Sequence, residues 1–281
     1  MGVKRLINAL VTPFDDNNVI DYLELDSLIS LCEENCNDAL VVCSTTGEGT
    51  LMSREEKIEC FKYVMNKTKL PCIYPINQMS LLEAKKEIDQ VKDLDFDTFL
   101  IVTPFYVKPT QDGLFVYYKE LAKYVYPKKI IIYNVSSRTG VNISYFTLRK
   151  LIKSSKNIIG IKECSSDFNL IKLLKTNFPS FTVYLGEDSQ FYKGLENNVD
   201  GFISVISLYY GKLMKEIIED YQIGFVNQIN VSYISLVCDI IFSCPNPIGM
   251  KHLLKIKGHH SMNLRLPLLP LNDQGQSFDL L

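Results

Sequence analysis

The chain has 281 residues, 47% of them hydrophobic and 22% charged, which excludes gross disorder and low-complexity or collagen-like architecture. Thirty basic residues against 32 acidic ones give a net charge of −2, so no positive field is available to hold a nucleic-acid backbone. No apolar run approaches the roughly 20 residues that a membrane-spanning helix needs, and the opening MGVKRLINALVTPFDD is broken at Thr12-Pro13 and has no small-residue cleavage site, so it reads as a first strand.

Short apolar runs alternate with longer amphipathic ones. Leu6–Val11, Ala39–Cys43, Cys72–Ile76 and Thr98–Val102 are the first four runs, and Ile130–Tyr133, Ile158–Ile161, Phe181–Leu185 and Gly201–Val205 are the next. They are nearly continuous rather than alternating, the pattern of parallel strands covered on both faces. Between them, Tyr22–Glu34 places Leu25, Leu28, Ile29 and Cys32 at helical spacing, and Ser53-Arg54-Glu55-Glu56 reads as a capping box that opens a helix. Helices are also predicted over Ser80–Lys92, Gln111–Val125, Ser144–Ser154, Phe168–Thr176, Asp188–Asn197 and Leu208–Gln222. Eight strand–helix units predict an α/β fold, a (β/α)8 TIM barrel over residues 1–222. The rival, a doubly wound open sheet, usually carries a Gly-rich first turn, and none follows Val11. Helical segments over Gly224–Phe242 and Pro247–Lys257 predict a C-terminal helical appendage, residues 223–281, with an irregular tail from Leu264.

None of the eight cysteines belongs to a C-x-x-C pair and most sit in apolar runs, which favours thiols in a reducing, cytoplasmic setting over a disulfide framework. The three histidines fall in the last thirty residues, so no His/Cys zinc spacing is present and no metal is expected.

In a barrel of this kind chemistry sits at the carboxyl ends of the strands. Those ends are Ser44-Thr45-Thr46-Gly47-Glu48, Thr103-Pro104-Phe105-Tyr106, Tyr133-Asn134 with Ser137-Arg138-Thr139-Gly140 just beyond, Lys162-Glu163, and Gly186-Glu187-Asp188. Lys162 leaves an apolar strand directly. Burial at a barrel mouth favours the neutral amine of a lysine, and a neutral amine attacks a ketone to give a Schiff base; a lysine snorkelling to solvent is the other reading. Tyr133 is either a proton relay, since a phenol donates and accepts, or a packing residue. Thr45-Thr46-Gly47 offers hydroxyls and backbone N–H groups suited to a carboxylate, or is a plain loop before the Ser53 cap. Arg138 either holds a carboxylate in bidentate fashion or is a solvated surface residue.

These motifs together resemble the dihydrodipicolinate synthase / N-acetylneuraminate lyase family. The resemblance rests on Ser44–Glu48, on Tyr133–Gly140 (YNVSSRTG) and on Gly160-Ile161-Lys162-Glu163. It runs from Val11-Thr12-Pro13-Phe14 through Val102–Tyr106 to Pro245-Asn246-Pro247-Ile248 and Leu264–Pro267. It implies a barrel-shaped class I aldolase that binds pyruvate as a Schiff base without metal or organic cofactor. By resemblance, Lys162 is the Schiff-base lysine. Tyr133 and Thr45 form a proton relay, completed by Tyr106 from a neighbouring subunit of a homodimer or homotetramer. Thr46 binds the pyruvate carboxylate, and Gly186 and Ile203 supply backbone contacts. Arg138 holds the carboxylate of the second substrate, and the S-R-T-G segment is similar to that of the branch using L-aspartate 4-semialdehyde, on the way to diaminopimelate and lysine. Sialic-acid and 2-keto-3-deoxy-acid aldolases, or a silent barrel that binds a keto acid, are the alternatives. The chain departs from the family pattern at Ser44, at Ser136, at Phe105 and over Tyr74–Gln78. By resemblance, the last two departures lie near the family's lysine-feedback site, where Gly49, Arg54, Lys57 and Met79 also differ although Glu83 is retained, which implies weak or absent feedback by lysine.

Overall fold

The computed structural model describes residues 5–271 and 277–281. The first four residues of the opening segment and part of the tail predicted to be irregular lie outside the described residues. Eight parallel strands close into a barrel in chain order. They are β1 (Arg5–Ala9), β2 (Ala39–Val41), β3 (Cys72–Ile76), β4 (Thr98–Val102), β5 (Lys129–Asn134), β6 (Ile158–Glu163), β7 (Thr182–Leu185) and β8 (Gly201–Ser204). All eight correspond to the apolar runs of the sequence. Most of their residues are buried, which is why the runs lack alternation: one face packs in the barrel and the other under helices.

The helices between them are α1 (Tyr22–Glu34), α2 (Arg54–Lys67), α3 (Leu81–Val91), α4 (Gln111–Val125), α5 (Ser136–Thr139), α6 (Tyr145–Ser154), α7 (Phe168–Asn177), α8 (Phe191–Glu196) and α9 (Ser207–Gln222). Side-chain caps fix where several begin. Asp21, Ser80, Thr110, Ser144 and Asp167 each accept from a backbone N–H of the first turn, and the Ser53/Glu56 capping box is formed in both directions. Two more helices follow, α10 (Gln228–Ile241) and α11 (Ile248–Ile256). The four-residue α5, which carries Arg138, was not expected: one turn leaves no periodicity to read. The predicted helix from Asp188 opens instead as a 3-10 turn, Asp188–Gln190, ahead of α8.

The described residues divide into two compact units. One comprises Leu6–Leu70 and Ser204–Leu281, so it holds α10 and α11 as well as β1 and β2; the other comprises Pro71–Ile203 with Arg5. In the second unit the ladder runs from β3 to β8. Past a register shift between Ile130 and Ile131, Tyr133 pairs with Lys162, Asn134 with Glu163, and Lys162 in turn with Tyr184.

Candidate active site

The second unit places Lys162 and Tyr133 together. Lys162 is 5% exposed, and its Nζ stands 4.5 Å from the centroid of the Tyr133 ring, itself buried. The snorkelling reading is therefore incorrect. Parallel pairing of β5 and β6 supplies the placement: opposed residues on adjacent strands project to the same face. Gly186, just after β7, lies against Lys162. A Cβ there would come within 2.4 Å of both Lys162 Cε and Cys164 Sγ, so only glycine leaves room for the lysine stem. The Gly186 N–H is committed to the Glu163 carbonyl at 2.9 Å, while Ile203 on β8 is fully buried.

Glu163 follows Lys162 and projects to the other face of β6. Its carboxylate is fully buried and accepts from Asn134 Nδ2 at 2.8 Å and from the Ser165 N–H at 2.5 Å. Burial pushes the Glu163 carboxyl up, against the pull of these hydrogen bonds. The Asn134 amide also donates to Asn142 Oδ1 at 2.5 Å, and its oxygen accepts from the Ile143 N–H at 3.1 Å. One side chain thus closes the loop 134–143, with Arg138 on α5 at its exposed tip. Thr139 Oγ1, packed between the Val135 and Val141 carbonyls and Thr103 Oγ1, pins the middle of that loop.

Tyr106 stands apart from this cluster. It is 86% exposed, next to the exposed Val107, and its backbone is left-handed at φ 66°. A bulky side chain in that region is strained, and such strain collects at functional positions.

Thr45 and Thr46 belong to the other unit. They follow β2 in a tight turn whose flanks, Cys43 (φ 58°) and Glu48 (φ 54°), are both left-handed. Gly49 is packed so close beneath the Cys43 carbonyl that an added Cβ would sit 1.8 Å from its oxygen. Thr46 is buried, and its Oγ1 accepts from Asn246 Nδ2 at 3.0 Å; Thr12 Oγ1 donates to the Gly47 carbonyl at 2.8 Å. Glu48, at the end of the same turn, is ion-paired with Lys251 of α11 at 2.5 Å, both side chains being almost wholly out of solvent. Burial lowers the Lys251 ammonium to about 8, ahead of the attraction of Glu48.

Sequence reasoning missed this pair. A signal was present: Lys251 shares the buried side of its helix with Met250, Leu253 and Leu254, where a charge needs a partner. Among the described residues no group of three or more His, Cys, Asp or Glu is placed to hold a metal ion, and no helix is long and apolar enough to cross a membrane.

The fold is a (β/α)8 barrel with a buried lysine near the end of its sixth strand, beside a strand-end phenol. The chain belongs to the dihydrodipicolinate synthetase family, whose model matches residues 2–278. It is 34% identical over 273 residues to the 4-hydroxy-tetrahydrodipicolinate synthase of Karelsulcia muelleri, an alignment covering 93% of this chain and 90% of that protein. Among solved structures it is similar to the lysine-bound dihydrodipicolinate synthase of Cyanidioschyzon merolae (TM-score 0.90, 30% identity, 96% of this chain and 93% of that one). The pyruvate complex of the chloride-inhibited enzyme from Acinetobacter baumannii is also similar (TM-score 0.89, 32% identity, 97% and 95%).

Proposed function

We propose that the chain is a class I aldolase, a lyase that condenses pyruvate with L-aspartate 4-semialdehyde to 4-hydroxy-tetrahydrodipicolinate on the route to diaminopimelate and lysine. The observation that carries this reading is the Lys162 amine, buried and lying 4.5 Å over the ring of Tyr133. The Acinetobacter relative binds pyruvate, and the named relatives carry the synthase name over almost their whole length.

The chemistry follows from an amine in a confined site. The Lys162 amine attacks the ketone carbon of pyruvate, and loss of water leaves an imine. The protonated imine draws electrons from the adjacent methyl group, which gives up a proton and becomes the nucleophilic carbon of an enamine. That carbon attacks the aldehyde, forming the new carbon–carbon bond. The amine of the second substrate then adds to the imine carbon, closes the ring and releases Lys162 unchanged. Tyr133 and Thr45 carry protons in these steps, with Tyr106 reaching in from a neighbouring copy. Its exposure is what such a role requires, and it makes a homodimer or homotetramer the working unit. Thr46 holds the pyruvate carboxylate, while backbone groups of Gly186 and Ile203 line the site. Protein groups supply every proton transfer, so no cofactor is called for. The setting is a reducing, cytoplasmic one.

Arg138 decides the second substrate. A guanidinium pairs a carboxylate, whereas a polyol chain calls for hydroxyl and amide partners. Arg138→Ala is expected to raise KM for L-aspartate 4-semialdehyde by about a hundredfold, in line with loss of one charge-assisted bidentate contact. Borohydride trapping of pyruvate on Lys162 is expected to stay intact. Equal loss of both would assign Arg138 to the fold rather than to the substrate, and turnover of a sugar acid by the native chain would place it among the other pyruvate aldolases.

A further inference from the structure

The ion pair between Glu48 and Lys251 takes no part in the chemistry above, yet it ends the turn that carries Thr45 and Thr46. Glu48 Oε1 accepts from Lys251 Nζ, and Oε2 accepts from the Arg265 backbone N–H at 2.9 Å. Lys251 also donates to the Asn263 carbonyl at 2.7 Å, and its Nζ lies 4.5 Å over the Phe14 ring. The Arg265 guanidinium stacks on the same ring at 4.2 Å and donates to the carbonyls of Leu51 and Asn18 and to both carboxylate oxygens of Glu56. Asn246, just before α11, donates to Thr46 itself. The stretch 246–265 therefore grips the turn at Thr46, at Glu48 and at Leu51.

A wholly buried ion pair is a poor means of gaining stability. Removing two charges from water costs about as much as their attraction returns, and apolar side chains of the same volume often do as well. What the pair adds over apolar packing is direction, since a lysine and a carboxylate engage only along fixed hydrogen-bond axes. The turn needs such direction. It bends through left-handed backbone at Cys43 and Glu48, and conformations of that kind persist only where the surroundings over-determine them.

We propose that Glu48 and Lys251, with Arg265, are positioning residues for the Thr45–Thr46 turn, so that α11 and the segment after it set the geometry of the carboxylate-binding hydroxyls. This rests on the reading of Thr46 as the ligand of the pyruvate carboxylate.

The test uses the full-length chain carrying Glu48→Gln, Lys251→Met, both together, and Thr46→Val as a separate variant. Thermal unfolding, KM for each substrate and the rate of borohydride trapping at low pyruvate are read on each. Either single change at the pair lowers Tm, Lys251→Met the more, because it strands the Glu48 carboxylate, whereas Glu48→Gln leaves the Lys251 charge without a counter-charge. The double change removes both charges and brings Tm back toward that of the native chain. If the pair positions the turn, KM for pyruvate is about tenfold higher and trapping about tenfold slower in the double variant despite its recovered Tm, while KM for the semialdehyde moves less than threefold. A double variant with native pyruvate KM, or KM values that simply follow Tm, would overturn the proposal. Should the double variant fail to fold, Lys251→Met decides, read well below its Tm, since methionine removes the donor that fixes Glu48; native pyruvate KM there rejects the positioning role. Thr46→Val separates the two levels. Raised KM in Thr46→Val with native KM in the pair variants rejects only the positioning role, whereas native KM in Thr46→Val removes the reading beneath it.

Discussion

Two regions carry the candidate chemistry, and they are held by different forces. Around Lys162 the support is neutral: a glycine that makes room for the lysine stem, amide hydrogen bonds from Asn134, and a buried Glu163 whose hydrogen-bond partners are amides. Around Thr45 and Thr46 the support is ionic: Glu48, Lys251, Arg265 and Glu56 in contact through buried or half-buried hydrogen bonds. The contrast is consistent with the roles proposed above: an amine nucleophile in the first region and a rigid turn offering hydroxyls to a carboxylate in the second.

The largest effect expected from this contrast is on stability. Lys251→Met strands the Glu48 carboxylate in the interior and should cost roughly 3–5 kcal/mol in urea unfolding. Glu163→Gln replaces an acid whose hydrogen-bond partners are amides and should cost no more than about 1–2 kcal/mol. Equal losses would erase the distinction between the regions.

Next comes Gly186→Ala. The added carbon must displace the Lys162 stem or Cys164, at a cost of about 1–3 kcal/mol. A reacting amine displaced by about 1 Å should lower kcat/KM by about a hundredfold. Native activity in a folded Gly186→Ala enzyme would show that the lysine is not confined there.

The smallest effect is the pH dependence, and the two regions should tilt in opposite senses. The Glu163 carboxyl is raised above its ordinary 4.5, so the folded chain holds a proton that the unfolded chain has lost. Its contribution is complete below about pH 4.5 and is lost as pH rises through the raised value. Lys251 is lowered from 10.5 to about 8, so between those values the unfolded chain binds more protons and stability from this group rises with pH. The stability of the native chain minus that of Glu163→Gln should therefore fall from pH 4.5 upward, and minus that of Lys251→Met should rise from about pH 8 to 10. Flat difference curves would contradict both assignments.

The barrel was legible because covered parallel strands leave continuous apolar runs, and eight such runs admit few architectures. Lys162 was legible for the same reason, as a charge at the very end of a run. The Glu48–Lys251 contact spans 203 residues, and nothing local in T-T-G-E-G announces its partner. Helix α5 was too short to show a period. The strand β2 ends at Val41, two residues before the expected end at Cys43, where the backbone is already left-handed at φ 58°.

The central claim is that Lys162 becomes covalently joined to pyruvate. The direct test is to mix the native chain with pyruvate, reduce with borohydride, digest, and weigh the peptides. A stable adduct on the peptide containing Lys162, absent from Lys162→Ala and unaffected in Arg138→Ala, is the predicted result. No mass gain, or a gain on another lysine, would contradict it.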